Sequence, residues 1–222
     1  MSTPSLQVTR VVLRVPERIS PGSVFWSVAE RVLAGSLLIA ALPVMAMVSI
    51  AVTLASRKTP VIAHRRVGRY GQEFWMFKIR TMWGGGQSSS GGWIEYLGDT
   101  HVPAFKGARD PRVTSRFALF LRRFSLDELP QLIHVISGRM RLVGPRPVTG
   151  AEWNEYYGAR SADVLSVAPG ITGLWQVLGR NRLTYGQRRR LDLFYARHRT
   201  PQLDLLLLLR TPARVLSGRD AG

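Results

Sequence analysis

Between Val32 and Ser56 the chain carries no charged residue: VLAGSLLIAALPVMAMVSIAVTLAS. Coiled as a helix, this run is ~37 Å long, enough to reach across a bilayer core of ~30 Å. A core helix of a soluble domain usually has a polar face, whereas one that is apolar all round needs a large protein or lipid around it. The run is longer than the apolar stretch of a secretory leader, and it starts well inside the chain, at position 32. A membrane segment is the expectation.

Pro43 lies near the middle of the run and deletes one backbone hydrogen bond. It suits a kinked spanning helix, or a helix-break-helix hairpin that enters the membrane and returns. The flanks favour the hairpin. Arg10, Arg14, Arg18 and Arg31 precede the run, and Arg57, Lys58, Arg65, Arg66 and Arg69 follow it. Positive charge marks the cytoplasmic side, and both ends carry it. The expected organisation is a polar N-terminal segment over 1–24, a re-entrant membrane helix over 25–56 and a cytosolic domain over 57–222. The cytoplasmic face of the inner membrane is the expected location.

Beyond the run, VIAHRRV and EFWMFKIR flank GRYG and predict a β-hairpin turning at Gly68 and Gly71. GGGQSSSGG, over 84–92, has the composition of a flexible loop, and GARDPRVT, from Gly107 to Thr114, has turn chemistry. RFALFLRRF places Phe117, Phe120, Leu121 and Phe124 at helical spacing. LPQLIHVISG predicts a second helix closed by Gly138, and TYGQRRRLDLFYARH a polar one. GPRPV cannot be helical at its prolines, and APGITGLWQVLGRN reads as a glycine-rich loop with short extended pieces. The leucines from Leu203 to Leu209 are too few to span a bilayer and predict a buried or interfacial helix. The fold class is α+β, mostly helical: a re-entrant membrane hairpin joined to a small catalytic domain with a β-hairpin and interfacial amphipathic helices.

With 31 basic and 14 acidic residues the chain has a net charge of +17. That balance calls for an anionic partner: nucleic acid, anionic lipid or a phosphorylated substrate. The absence of cysteine excludes disulfides, thiolate metal sites and a thiol nucleophile. Against this background two adjacent acids, Asp127 and Glu128, stand out in RRFSLDELPQL. A structural explanation is available. Ser125 and Glu128 form S-x-x-E, the signature of a helix capping box. Pro130 strains that explanation, because with Ser125 as cap it falls where its missing N–H is needed; a start at Asp127 relieves it. The chemical alternative is that helix amides and Arg122 and Arg123 hold the carboxylates ionised. An ionised carboxylate beside phosphate-binding arginines can attack phosphorus or ligate Mg²⁺, and two adjacent acids permit one of each. Pro145 and Pro147 stiffen the backbone that presents Arg146, and Lys78 and Arg80 alternate on one strand face. Gln176, Arg180 and Asn181 read equally as nucleotide or sugar contacts and as loop closure. Asp192 and Asp204 are expected to pair with arginines, and the four histidines show no ligand spacing.

RRFSLDELPQL, LVGPRP and PGITGLWQVLGRN in that order, with RRVGRYGQEFWMFKIRTM and DPRVT upstream and RLDLFY downstream, resemble the bacterial sugar transferases. These are monotopic polyprenyl-phosphate phosphoglycosyl transferases that start exopolysaccharide, capsule and O-antigen synthesis. The resemblance covers roughly residues 30 to 212, and the length resembles the minimal catalytic form. It implies a transfer of sugar 1-phosphate from a UDP-sugar to undecaprenyl phosphate with release of UMP. By the same resemblance Asp127 is the nucleophile, Glu128 assists with Mg²⁺, and Lys78, Arg80, Arg122, Arg146, Gln176 and Arg180 serve phosphate and nucleotide. Pro43 is then the helix-breaking proline. The partners implied are a UDP-sugar, a polyprenyl phosphate and the membrane, with no nucleic acid; homo-oligomerisation is left open. Trp26 and Ser27 depart from the family's basic pair, Glu30 from its aspartate and His64 from its glutamine, and HVISGRMR carries Arg139 and Arg141 where the family pattern does not. The rival reading is a basic, membrane-anchored protein that binds anionic lipid or nucleic acid. It predicts a basic stripe or aromatic platforms, whereas here the arginines are scattered and the acids concentrated.

Overall fold

The structure, a computed structural model, describes residues 21–83, 94–97, 115–179 and 182–217. Most of the expected polar N-terminal segment, the 84–92 loop, the turn at 107–114 and the candidate Arg180 lie outside the described residues. Helix α1 (Pro21–Ser56) contains the uncharged run and is helical at every residue, through Pro43. The expected break is therefore not an interruption of helical structure. Most of this helix is exposed: Leu54 is 75% accessible and Ile39 70%. It is long and apolar enough to cross a membrane. An exposed apolar surface of this extent is consistent with membrane association of α1.

Both arms of α1 nevertheless pack on the rest of the chain. In the N-terminal arm, Ala34 joins a core with Phe74, Met76, Leu132 and Val135. In the C-terminal arm, Val48 and Val52 pack with Ile79 and Leu121. Two of the departures noted in the sequence meet here. The Arg141 guanidinium lies 2.9 Å from the Glu30 carboxylate and 3.7 Å from that of Asp204. Glu30 also accepts the backbone N–H of Leu142. The glutamate on α1 and the arginine on β4 thus explain each other. Arg141→Met leaves Glu30 half-buried without its cation and should destabilise the protein by ~2 kcal/mol, partly recovered in Glu30→Gln/Arg141→Met. Thermal unfolding of the three proteins in detergent checks this; equal melting of wild type and Arg141→Met would remove the pair from the fold's stability.

The predicted hairpin forms from β1 (Val61–Val67) and β2 (Glu73–Ile79), paired antiparallel from Val61↔Ile79 to Val67↔Glu73. Tyr70 and Gly71 take positive φ, 58° and 75°, in the turn. β3 (Ile94–Leu97) pairs parallel to β1 on the other side, giving the order β2-β1-β3. Among the described strands β2 is therefore an edge, and its free side faces the segment that holds the two acids. There the ring Nε2 of buried His134 accepts the N–H of Phe77 at 3.1 Å. Burial, with Arg139 nearby, depresses the His134 pKa to about 4, which keeps the imidazole neutral for that role.

α2 (Arg116–Arg123) is capped by Ser115, whose side chain accepts the N–H of Phe117. It buries Ala118 and Leu121 and leaves Leu119 and Phe120 exposed. A 3₁₀ turn (Leu126–Gln131) leads into α3 (Leu132–Ile136), closed by Gly138 at φ 76°. β4 (Arg141–Val143) pairs parallel with β5 (Gly170–Thr172). Between them lie α4 (Gly150–Glu152), a π turn (Trp153–Tyr157) and a 3₁₀ segment (Ala159–Ser166). α5 (Leu174–Leu178), α6 (Tyr185–His198) and α7 (Pro201–Ser217) complete the described chain. α4 and α6 start in true capping boxes, Thr149 with Glu152 and Thr184 with Gln187. α7 carries the leucine run onward through Pro212; Leu207 is buried and Leu205, Leu206 and Leu209 are exposed, as an interfacial helix requires.

Candidate active site

The capping-box explanation of the two acids fails on geometry. Ser125 is left-handed, φ 55° and ψ 24°, and its side chain caps nothing in the turn that follows. The Glu128 side chain points instead across to the sheet edge and to the 144–149 loop. Its Oε1 accepts Lys78 Nζ at 2.8 Å and Arg146 Nη2 at 3.1 Å. Pro130 is accommodated because the segment is a 3₁₀ turn, not the first turns of an α-helix. Asp127 lies beside this cluster, 8% exposed, with no hydrogen bond or ion pair to any described residue.

The adjacent acids thus have opposite electrostatics. Burial alone would raise Glu128, but Lys78 and Arg146, by charge and by hydrogen bond, bring its pKa down to about 2. Burial pushes Asp127 up to about 6; Lys78 opposes this most, Glu128 adds to it, and Arg122 and Arg146 draw it down. At neutral pH both are ionised, but Glu128 is tied to two cations through Oε1, whereas Asp127 pairs with no described residue. The sequence reading holds both carboxylates ionised; burial and the repulsion between the pair make them unequal.

A titration follows. Any step that needs the Asp127 carboxylate should fall away as pH drops through about 6. Glu128→Gln removes a repelling charge and should move that acid limb to lower pH. Lys78→Met removes the strongest attraction and should move it higher. A pH profile of product release for the three proteins tests the order; identical limbs would detach Asp127 from the titration.

The start of the Arg146 loop is tied to β5 by backbone hydrogen bonds. Gly144 N–H donates to Thr172 O at 2.9 Å, and Gly170 N–H to Pro145 O at 2.8 Å. A Cβ on Gly170 would lie 2.0 Å from Gly144 N. The glycine-rich stretch read as a loop is therefore the seat of the Pro-Arg-Pro segment, and its glycines are what let two backbones touch. The Arg146 guanidinium lies over the Trp175 ring, 5.9 Å from its centroid, and Arg188 lies over the same ring at 4.7 Å.

Of the residues expected from sequence, the structure brings Lys78, Arg146, Asp127 and Glu128 together, with Arg122 near enough to lower Asp127. Gln176 follows Trp175 on α5, and its buried side-chain oxygen and nitrogen have no partner. Arg80 goes elsewhere: it is buried, with its guanidinium on Glu95 and on Thr59 O. Asp204 pairs with Arg141 and Arg199 as expected, but Asp192 is bonded to Tyr157, not to an arginine. Trp175, Arg188 and Tyr157 escape sequence reasoning, because nothing in local spacing marks an aromatic floor built from separate segments. For Mg²⁺ the donor set fits as far as it goes. Glu128 Oε2 and the Asp127 carboxylate remain open when Oε1 holds both cations. Among the described residues there is no group of three metal-ligating side chains. Two carboxylates completed by substrate phosphate and water is an ordinary Mg²⁺ environment.

The bacterial sugar transferase profile matches residues 22–218. The chain is 38% identical over 216 residues to the UDP-galactose-lipid carrier transferase of Erwinia amylovora, covering 93% of this chain and 44% of that protein. It is 40% identical over 158 residues to the exopolysaccharide production protein ExoY of Rhizobium meliloti (strain 1021), covering 69% of each. It is 35% identical over 202 residues to the UDP-glucose:undecaprenyl-phosphate glucose-1-phosphate transferase of Xanthomonas campestris pv. campestris, covering 86% of this chain and 39% of that protein. The chain thus spans less than half the length of two of these three relatives.

Proposed function

Because the chain belongs to the bacterial sugar transferase family, we propose that it moves a sugar 1-phosphate from a UDP-sugar to a polyprenyl phosphate at the cytoplasmic face of a membrane. An Asp127 carboxylate oxygen attacks the β-phosphorus. The bond from that phosphorus to the bridging oxygen breaks, UMP departs with the oxygen, and an aspartyl phosphosugar remains. A phosphate oxygen of the polyprenyl phosphate then attacks the same phosphorus and frees the carboxylate, leaving a polyprenyl diphosphate sugar. The observation that supports this most is the inequality of the two acids: Asp127 buried and without a partner among the described residues, Glu128 fixed by Lys78 and Arg146. An unpartnered carboxylate is a nucleophile that need not break an ion pair before it attacks.

Lys78, Arg122 and Arg146 supply positive charge where the transferring phosphate gains negative charge. Mg²⁺, which members of this family typically use, would be held by Asp127 and Glu128 and supply further charge neutralisation there. Arg146 is the nucleotide-phosphate contact in this reading, and Gln176 and Arg180 lie on the same glycine-rich segment. Arg80, committed to Glu95, serves by holding β2 in place rather than by touching phosphate. In this reading α1 is re-entrant, with both basic flanks cytoplasmic, and the exposed leucines of α7 rest at the bilayer surface. That depth lets a lipid phosphate and a soluble nucleotide reach one carboxylate. Relatives named for galactose and for glucose support a hexose as the candidate sugar.

The test is to incubate the protein with a radiolabelled UDP-sugar and no lipid, quench it and map the adduct by mass spectrometry. A phosphosugar on Asp127 with one equivalent of UMP is expected. An adduct elsewhere, or UMP release only when lipid is present and with no adduct, would overturn the two-step route.

A further inference from the structure

Arg188, near the start of α6, is held on three sides and pairs with no acid among the described residues. Its Nε–H donates to Leu183 O at 3.0 Å. Its guanidinium lies over the Trp175 ring, 4.7 Å from the centroid, and over the Tyr185 ring at 5.2 Å. Both rings are themselves fixed. Trp175 is buried, and Tyr185 stacks on Tyr156 with centroids 4.0 Å apart and planes at 5°. A guanidinium held at Nε and between two aromatic rings has lost most of its rotamer freedom, and its two Nη groups are presented in a set direction.

The local acid does not satisfy that fork. Glu152 Oε2 accepts Arg66 at 3.1 Å and the Thr149 N–H at 2.8 Å, and its Oε1 accepts the Tyr185 hydroxyl at 3.3 Å. A second cation stands close by instead: Arg146 lies over the same Trp175 ring, 5.9 Å from the centroid. Burial lowers the Arg188 pKa, Tyr185 offsets part of this, and the Arg146 charge adds to it. Two guanidinium groups gathered on one indole, only one of them bonded to a carboxylate, form a site short of negative charge. The two arginines are also unequal. Arg146 Nη2 reaches Glu128 Oε1 at 3.1 Å, beside Asp127, whereas Arg188 makes no contact with either acid. A diphosphate has the same layout: one phosphate is attacked, and its neighbour across the bridging oxygen departs.

We propose that Arg188 is a second substrate-binding residue: its Nη fork holds the α-phosphate of the UDP-sugar, while Arg146 holds the β-phosphate that Asp127 attacks. This rests on the proposed function for the identity of the substrate. When the bond between the β-phosphorus and the bridging oxygen breaks, its electron pair leaves on that oxygen, as part of UMP. Arg188 then faces the phosphate that gains this charge. The competitor is a purely structural role, in which the Arg188 stem fills the space between Trp175 and Tyr185 and its Nη groups are merely hydrated.

The two roles differ in what they do to UMP, which carries the α-phosphate alone, and to UDP, which carries both. Measure binding of each nucleotide to the full chain in detergent by isothermal titration calorimetry, for wild type, Arg188→Met, Arg188→Lys and Arg146→Met. Arg188→Met keeps an apolar stem between the rings and removes the charge. It should weaken UMP and UDP alike, about tenfold each. Arg188→Lys restores the charge without the fork and should recover part of this, leaving a loss of about threefold. Arg146→Met should weaken UDP about tenfold and UMP by less than about twofold. UMP binding to Arg188→Met within twofold of wild type would overturn the proposal, and so would equal losses in Arg188→Met and Arg188→Lys. A loss in Arg188→Met confined to UDP would overturn it too, because both arginines would then serve one phosphate. If Arg188→Met does not fold, Arg188→Lys decides: UMP affinity equal to wild type removes Arg188 from the phosphate. A wild type that binds neither nucleotide would sink the proposed function along with this inference. A wild type that forms the Asp127 adduct while Arg188→Met binds UMP normally would sink this inference alone.

Discussion

Asp127→Asn is expected to abolish UMP release and at the same time to make the protein more stable. The two halves come from one fact, a buried carboxylate without a partner among the described residues. Asparagine has the size of aspartate but no nucleophilic oxygen charge, so turnover should fall by at least ~10³-fold. The stability half follows from linkage. The Asp127 pKa is raised from 3.8 to about 6 in the folded chain. The unfolded chain therefore releases that proton first as pH rises. Wild-type stability falls between pH 3.8 and about 6 on this account, and the full penalty of ~3 kcal/mol stands above it. The asparagine variant carries no such penalty. Melting curves should coincide below about pH 4 and separate above pH 6 in favour of the variant. If instead the variant is inactive and less stable at pH 8, the carboxylate is a structural acid and not a reserved nucleophile. Glu128→Gln should behave in the opposite way: the Glu128 pKa is depressed to about 2, so its charge stabilises the fold above pH 4.5, and this is lost as pH falls towards about 2.

Gly170→Ala should be among the most damaging small substitutions outside α1. The added Cβ would sit 2.0 Å from Gly144 N, 2.5 Å from Thr172 O and 2.6 Å from Gly144 Cα. All three are backbone atoms, so no rotamer change relieves the clash. β5 must move off the loop, and the pair Gly170 N–H to Pro145 O is lost with it. A loss of at least ~3 kcal/mol is expected. Any protein that still folds should lose UDP-sugar use out of proportion, because the Arg146 loop is anchored to the displaced strand. Gly186, where a Cβ meets nothing within 4 Å, is the matched control: Gly186→Ala lies inside α6 and should be neutral to stabilising. Equal melting temperatures for Gly170→Ala and Gly186→Ala would contradict the close approach of the two backbones.

How much of this is legible beforehand depends on the range of the interaction concerned. The hairpin, the helices over Arg116–Arg123 and Tyr185–His198 and the apolar α1 follow from periodicity and turn residues, which act over a few positions. The dyad and the Pro-Arg-Pro arginine are likewise visible, as short motifs of unusual chemistry. The capping box at Ser125 misleads because the same four letters serve two purposes. The spacing S-x-x-E is satisfied at 125–128, but Lys78, fifty positions upstream, competes for the glutamate and wins. At Thr149 and Thr184 the same signature does form a cap.

By itself the sequence determined the β1–β2 hairpin, the helices over Arg116–Arg123 and Tyr185–His198, that one helix is long and apolar enough to cross a membrane, and that two acids lie among basic residues. Those are consequences of local backbone preference and of transfer free energy, and neither needs a partner from elsewhere in the chain. The tertiary structure alone decided that Glu128 is held by Lys78 and Arg146 while Asp127 pairs with no described residue, that Arg80 belongs to Glu95, that Glu30 meets Arg141, and that Asp192 accepts from Tyr157. Each of these is a competition among charges and donors brought together across long stretches of chain, settled by distance and burial, and one-dimensional spacing holds neither quantity.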